Sequence, residues 1–195
     1  MKKWLIPIVL LVLIAAWGMN INNTAVGLEE GTKEAWADVE SSYQRRNDLI
    51  GNLVKTVQGA ADFERGTLKD VIEARAKATK TTIDPSNITP QQLEAFNQAQ
   101  SGLSSALSRL LVTVERYPDL KANKNFLELQ TQLEGTENRI NVVRDRFNST
   151  VKPYNEYVRT MPRKFIANLM GFGEMGYYKS EAGSENVPDV DFEFN

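Results

Sequence analysis

Apolar residues along the chain fall into one unbroken run and three spaced stripes. The run is Trp4-Leu5-Ile6-Pro7-Ile8-Val9-Leu10-Leu11-Val12-Leu13-Ile14-Ala15-Ala16-Trp17. The first stripe is Trp36, Val39, Tyr43, Arg46, Ile50, Leu53, Val57 and Ala60; the second is Leu93, Phe96, Gln100, Leu103, Leu107, Leu110, Val114 and Tyr117. The third is Phe126, Leu129, Leu133, Thr136, Ile140, Val143, Phe147, Thr150, Tyr154, Tyr157 and Met161. Steps of three and four alternate, with Glu, Lys, Arg, Gln and Asn on the other faces, which is the signature of amphipathic helices. A mean step of about 3.5 residues is the coiled-coil value, so the helices should pack nearly antiparallel with a left-handed twist. The predicted fold is all-α: an N-terminal transmembrane helix followed by an elongated antiparallel up-and-down helical bundle.

The breaks are equally legible. Thr82 to Pro90 carries two prolines and several turn formers and reads as a loop, with Thr89 capping the next helix and Pro90 at its first position. Tyr117-Pro118-Asp119 closes one helix and opens the next. Gly59 and Gly66 weaken the first stripe, so a bend or change of register is expected near residue 60. Pro153 predicts a kink and Pro162 an end to the last long helix, whose stripe extends over roughly 50 Å.

Lys2 and Lys3 precede the apolar run, and no charge follows until Glu29. A charge-free stretch of about 25 residues covers roughly 37 Å as a helix. The hydrocarbon core needs about 30 Å, so the segment suffices only if Gly18 to Val26 helps to span it. A cleaved signal peptide has the same basic start and apolar centre, but Trp17, Met19 and Asn20 stand where a cleavage site wants small residues. The expectation is an uncleaved anchor in contact with lipid through residues 4–26. The lysine pair places the N-terminus in the cytoplasm and the helical domain outside, in a periplasm if the cell has an outer membrane, as a single-pass protein.

Composition narrows the chemistry. The 195 residues contain no His and no Cys, which removes the commonest general base, the commonest metal ligand and every disulfide or thiolate zinc site. With 23 basic and 25 acidic residues the net charge is −2, without the basic surplus of a nucleic-acid module. Gly171-Phe172-Gly173 lacks the lysine and strand context of a phosphate loop. The reading is a non-enzyme with no cofactor, no metal, no nucleic-acid partner and no evident small-molecule substrate.

Two features stand out. Arg45, Arg46, Asp48 and Asn52 form a dense polar cluster, while Arg46 and Gln100 interrupt apolar stripes that should face a core. A buried guanidinium costs several kcal/mol unless paired, and Glu134 and Glu137, near Asn138, are the candidate partners. These eight residues read as a structural polar layer fixing register between helices, with an anion-recognition patch as the functional alternative. On that reading Arg46→Met leaves the fold neutral or more stable, and Glu137→Ala harms it if that carboxylate is the partner. The second feature is the tail: Ser180 to Asn195 carries five acids and no bases, with Val190, Phe192 and Phe194 alternating with acidic residues. It reads as a docking strand for a partner, as a segment folded back on its own bundle, or as simple disorder.

Several of these segments together resemble the LemA family. Ala35-Trp36-Ala37-Asp38-Val39 and Gln44 to Val57 are similar to its signature helix, and Leu133-Glu134-Gly135-Thr136-Glu137-Asn138-Arg139-Ile140 to a second motif. Arg144, Phe147-Asn148, Tyr154-Asn155, Met161 to Ala167 and Gly171-Phe172 continue the pattern in order. Gly51 departs from it, since the family usually has proline there, which removes the basis for a kink at that point. The resemblance implies a bacterial membrane protein with one N-terminal helix and an extended up-and-down bundle, of poorly defined biochemical role. The chain accordingly divides into an anchor over 1–28, a bundle over 29–178 and an acidic tail over 179–195. The function expected is that of a membrane-anchored interaction or scaffold protein with protein partners or self-association. The alternative is a lipid-surface-binding or membrane-remodelling helical assembly.

Overall fold

The computed structural model describes residues 2–60 and 63–178. Six helices and no strands occur among the described residues: α1 (Lys2–Gln58), α2 (Arg65–Lys80), α3 (Pro90–Val114), α4 (Pro118–Lys121), α5 (Lys124–Arg159) and α6 (Arg163–Leu169). Cross-helix contacts fix the directions. Thr32 to Thr150, Asp38 to Arg146 and Arg46 to Glu137 set α1 antiparallel to α5. Asn47 to Arg75 turns α2 back along α1, and Glu64 to Arg116 turns α3 back along α2. The four long helices α1, α2, α3 and α5 therefore run up-down-up-down.

The stripes bury as their periodicity requires. Trp36, Val39, Ile50, Leu53 and Val57 of α1 are at most 1% exposed, as are Leu93, Leu103 and Leu110 of α3. The α3 start is a full capping box: Thr89 Oγ accepts the Gln92 N–H, Gln92 Oε1 accepts the Thr89 N–H, and Pro90 takes the first turn. Asn123 caps α5 by accepting the N–H groups of Asn125 and Phe126.

Two expectations change. The weak point near residue 60 is a full reversal, since α1 stops at Gln58 and α2 is a separate helix packed between α1 and α3. The third stripe drifts after Phe147, so that Val151, Tyr154 and Val158 are buried, Thr150 and Tyr157 are half-buried, and Met161 is 59% exposed. A straight α-helix falls out of step with a 3.5 repeat by about 20° per heptad, so over several heptads one extra residue must be stepped over. The helix α1 itself runs unbroken from the apolar run into the bundle, through Gly51. Its 57 residues extend about 85 Å.

The interior consists of two apolar clusters. One, toward the α6 end, joins Ala25, Trp36, Tyr43, Phe96, Phe147, Tyr154 and Ala167 among others. The second, toward α4, joins Ile50, Leu53, Val71, Leu103, Leu110, Phe126 and Leu133 among others. Trp36 anchors the first, with edge-on contacts to Phe96 and Phe147 at 5.6 and 5.4 Å and a stacked contact to Tyr178 at 6.1 Å. Such aromatic pairs contribute about 0.5–1.5 kcal/mol each beyond area burial.

Candidate functional site: a buried arginine layer and an asparagine-clamped strap

Between the two clusters lies a polar layer. Arg46 stands on α1 between Tyr43 and Ile50, Gln100 on α3 between Phe96 and Leu103, and Glu137 on α5 between Leu133 and Ile140. Arg46, only 4% exposed, donates to Glu137 Oε2 at 2.9 Å, to Gln100 Oε1 at 3.0 Å and to the Gln100 carbonyl at 3.2 Å. Ser104 Oγ accepts a longer bond at 3.4 Å, and the guanidinium lies 5.1 Å from the Tyr43 ring centroid. Arg46 Nε has no partner. Glu137 keeps 48% of its side chain in water, so the pair is half desolvated and solvent screens it.

Of the eight residues singled out in the sequence, the structure brings Arg46, Gln100 and Glu137 together and leaves the others outside the layer. Arg45 and Asn138 are exposed, and Glu134 is exposed and accepts from Gln130 of its own helix. Asp48 and Asn52 are exposed too, and with Gly51 and Arg75 they line an open groove between α1 and α2. Arg75 Nε donates to the Asn47 carbonyl at 2.8 Å, and its guanidinium covers Gly51. A neighbouring groove is lined by Trp36, Asn47, Arg75 and Gln100, where Trp36 Nε1 and Asn47 Oδ1 have no hydrogen-bond partner. Val190, Phe192 and Phe194 lie outside the described residues. No group of three or more metal-ligating acidic residues occurs among the described ones.

The α6 end holds a feature that the stripes did not reveal. After α6 the chain turns through a Schellman motif, with the Phe172 N–H on the Ala167 carbonyl and the Gly171 N–H on that of Asn168. Gly171 takes φ +88°, the left-handed conformation that glycine adopts without strain. Residues 172–178 then run back along α5 as an extended strap. Asn155 donates to the Met175 carbonyl at 2.8 Å and accepts the Met175 N–H at 2.9 Å. Asn148 does the same for Tyr178, at 3.0 and 2.9 Å. Two helical turns rise about 10 Å, and three extended residues cover nearly the same distance, so a heptad of helix matches the 175-to-178 spacing. Each asparagine thus serves the strap as a neighbouring strand would.

Tyr154 donates to the Gly173 carbonyl at 2.9 Å, and the Gly176 N–H donates to the Ile88 carbonyl at 3.0 Å. A Cβ on Gly176 would stand 3.0 Å from Pro90 Cα, so this crossing of strap and α3 start requires glycine. The available signal was the repeated aromatic–Asn pair, Phe147-Asn148 and Tyr154-Asn155, one heptad apart. Periodicity alone does not say what such asparagines hold. Burial raises the phenol pKa of Tyr43 against the opposing pull of Arg144 and Arg46, and that of Tyr178 as well. Tyr154 is pushed up to about 12, by burial first and by the Glu29 charge second.

Comparison with known proteins gives a consistent picture. The pattern of the LemA family matches residues 35–192. Among curated proteins, the chain is 26% identical to Magnetosome protein MamQ 2 of Paramagnetospirillum magneticum, covering 84% of this chain and 66% of that one. It is 25% identical to Magnetosome protein MamQ of Magnetospirillum gryphiswaldense over the same shares. It is 22% identical to Protein LemA of Metamycoplasma hominis, covering 73% of this chain and 61% of the relative. The chain therefore spans just under two thirds of the length of the relatives it matches best here.

Proposed function

The chain belongs to the LemA family, and from that premise we propose that it is a membrane-anchored helical scaffold. The observation that carries this reading is the continuity of α1. Leu5, Ile6, Ile8, Val9, Leu10, Leu11, Val12, Leu13 and Ile14 are each more than half exposed, and the same helix then enters the bundle core at Ile21, Ala25 and Trp36. Moving these nine aliphatic side chains from water into lipid would gain roughly 10 kcal/mol at about 1 kcal/mol each. α1 is the one helix among the described residues that is long and apolar enough to cross a membrane. With Lys2 and Lys3 cytoplasmic, the bundle stands outside and presents polar helix faces to protein partners or to copies of itself.

The names of the relatives attach two of them to the magnetosome and state no reaction. That suits a protein acting by assembly. Val112 on α3 and Val142 on α5, 71% and 66% exposed, are apolar points on the outer faces where such contacts would form. The test uses the absence of native cysteine: Val112→Cys or Val142→Cys in the full chain, thiol crosslinking in intact membranes, then mass spectrometry. Scaffolding predicts crosslinked copies or a recurrent partner adduct. A solitary monomer at both positions, with nothing co-purifying from detergent-solubilised membranes, refutes it. The second reading, lipid-surface binding, is favoured by the exposed apolar stripe on α6.

A further inference from the structure

We propose that α6 is a bilayer-seated collar, a second lipid contact that completes the hydrophobic span that α1 leaves short. This rests on α1 crossing the membrane. The bare apolar part of α1, Leu5 to Met19, covers about 22 Å as a helix, roughly 8 Å less than a hydrocarbon core. Beyond it, α1 turns polar at Asn20, Asn22, Asn23 and Thr24, while Gly18, Ile21 and Ala25 are covered by protein. α6 packs on α1 at this level: a Cβ on Gly18 would stand 3.9 Å from Met170 Cε, and Ala25 shares a core with Ala167.

The helix that covers α1 here turns a greasy face outward. Phe165 and Leu169, one turn apart on α6, are 68% and 88% exposed, with Met161 just before the helix at 59% and Met170 at its end at 43%. No described element covers this stripe, and Trp17 and Met19, which flank the Gly18 that Met170 approaches, are themselves 41% and 62% exposed. Lys164 is exposed next to it, and the Arg163 guanidinium is held 4.3 Å from the Tyr157 ring centroid. An apolar stripe with basic neighbours, set where the spanning helix runs out, fits the headgroup–acyl boundary of an anionic bilayer. The Schellman turn at Gly171 and the clamped strap then fasten the collar to the bundle, so that the bundle's height above the membrane is fixed.

The test reads depth at chosen positions in the full chain. Single cysteines replace Leu10, Phe165, Leu169 or Val112, each exposed, and carry a nitroxide in vesicles of phosphatidylethanolamine and phosphatidylglycerol. Collisions with oxygen report lipid and those with a water-soluble nickel complex report solvent. The collar predicts oxygen-dominated relaxation at 165 and 169, at a depth of about 5–10 Å below the headgroup boundary, with nickel dominating at 112. Nickel-dominated relaxation at 165 and 169 with oxygen dominating at 10 overturns the collar and leaves the span standing. Nickel dominating at 10 overturns both. Shielding of 165 and 169 from both reagents means that protein covers the stripe, which also overturns the proposal.

Discussion

Replacing Arg46 with methionine tests how the two apolar clusters are joined. The substitution removes a charge that is 4% exposed and whose Nε lacks a partner, and it places a side chain of similar reach between Tyr43 and Ile50. Replacing a whole buried ion pair by apolar groups is neutral or stabilising by about 1–4 kcal/mol, and removing one partner alone recovers only part of that. The structure adds an opposing effect. Gln100 is itself 4% exposed, and Arg46 is the donor to its Oε1. Leaving that acceptor buried and unpaired costs about 1–3 kcal/mol. The lost ion pair contributes less, about 1 kcal/mol, because Glu137 is 48% exposed. The single variant should therefore be destabilised by about 1–2 kcal/mol, in contrast to the neutral outcome expected from the sequence. Arg46→Met with Gln100→Leu removes the orphaned acceptor and should recover the loss. The assay is urea unfolding of the detergent-solubilised full chain, followed by helical circular dichroism. A double variant less stable than the single, or a single variant more stable than the parent, would refute the reasoning.

Other consequences are as direct. Glu137→Ala should cost about 1–2 kcal/mol, less than a fully buried pair would, because Gln100 and Ser104 still receive the Arg46 donors; the same urea titration measures it. Asn155→Leu leaves the buried Met175 N–H and C=O unpaired, a cost of about 2–6 kcal/mol at 1–3 per group, and should free the strap to limited proteolysis near residue 175 while helicity persists. Gly176→Ala should destabilise by about 1–3 kcal/mol, since its Cβ meets Pro90 backbone rather than a movable side chain; a lowered melting temperature reports it. Tyr154 has a folded pKa of about 12 against 10 unfolded, so its stabilisation is whole below pH 10 and is lost as pH rises through 12. The loss amounts to about 2–3 kcal/mol, and Tyr43 and Tyr178, also raised, act with the same sign. Alkaline titration of stability should flatten in Tyr154→Phe.

The amino-acid sequence by itself determined the elements that depend on neighbours within a turn or two. The stripe from Trp36 to Val57, the Thr89–Gln92 box with Pro90, and the apolar run from Leu5 each follow from local spacing and local backbone chemistry. That Arg46 needs a counter-charge was legible, because a charge on a core stripe must be paired, but spacing left Glu134 and Glu137 both open and only packing chose Glu137. What only the tertiary structure decided are the matters set by residues far apart in the chain. Arg45, Asp48 and Asn52 are as polar as Arg46, yet face solvent or a groove, because at about 100° per residue they point roughly 100–160° away from Arg46 around α1. Gly59 weakens a helix, but the packing of α2 between its neighbours makes the weak point a reversal. Asn148 and Asn155 sit on α5 with no local partner, and their meaning appears only when residues 172–178 fold back along it. Likewise α6 covers Gly18, Ile21 and Ala25, about 140 residues earlier. Helical periodicity encodes which face of a segment turns inward; which distant segment meets that face is encoded in complementarity of shape and hydrogen bonding, which no single stretch of sequence displays.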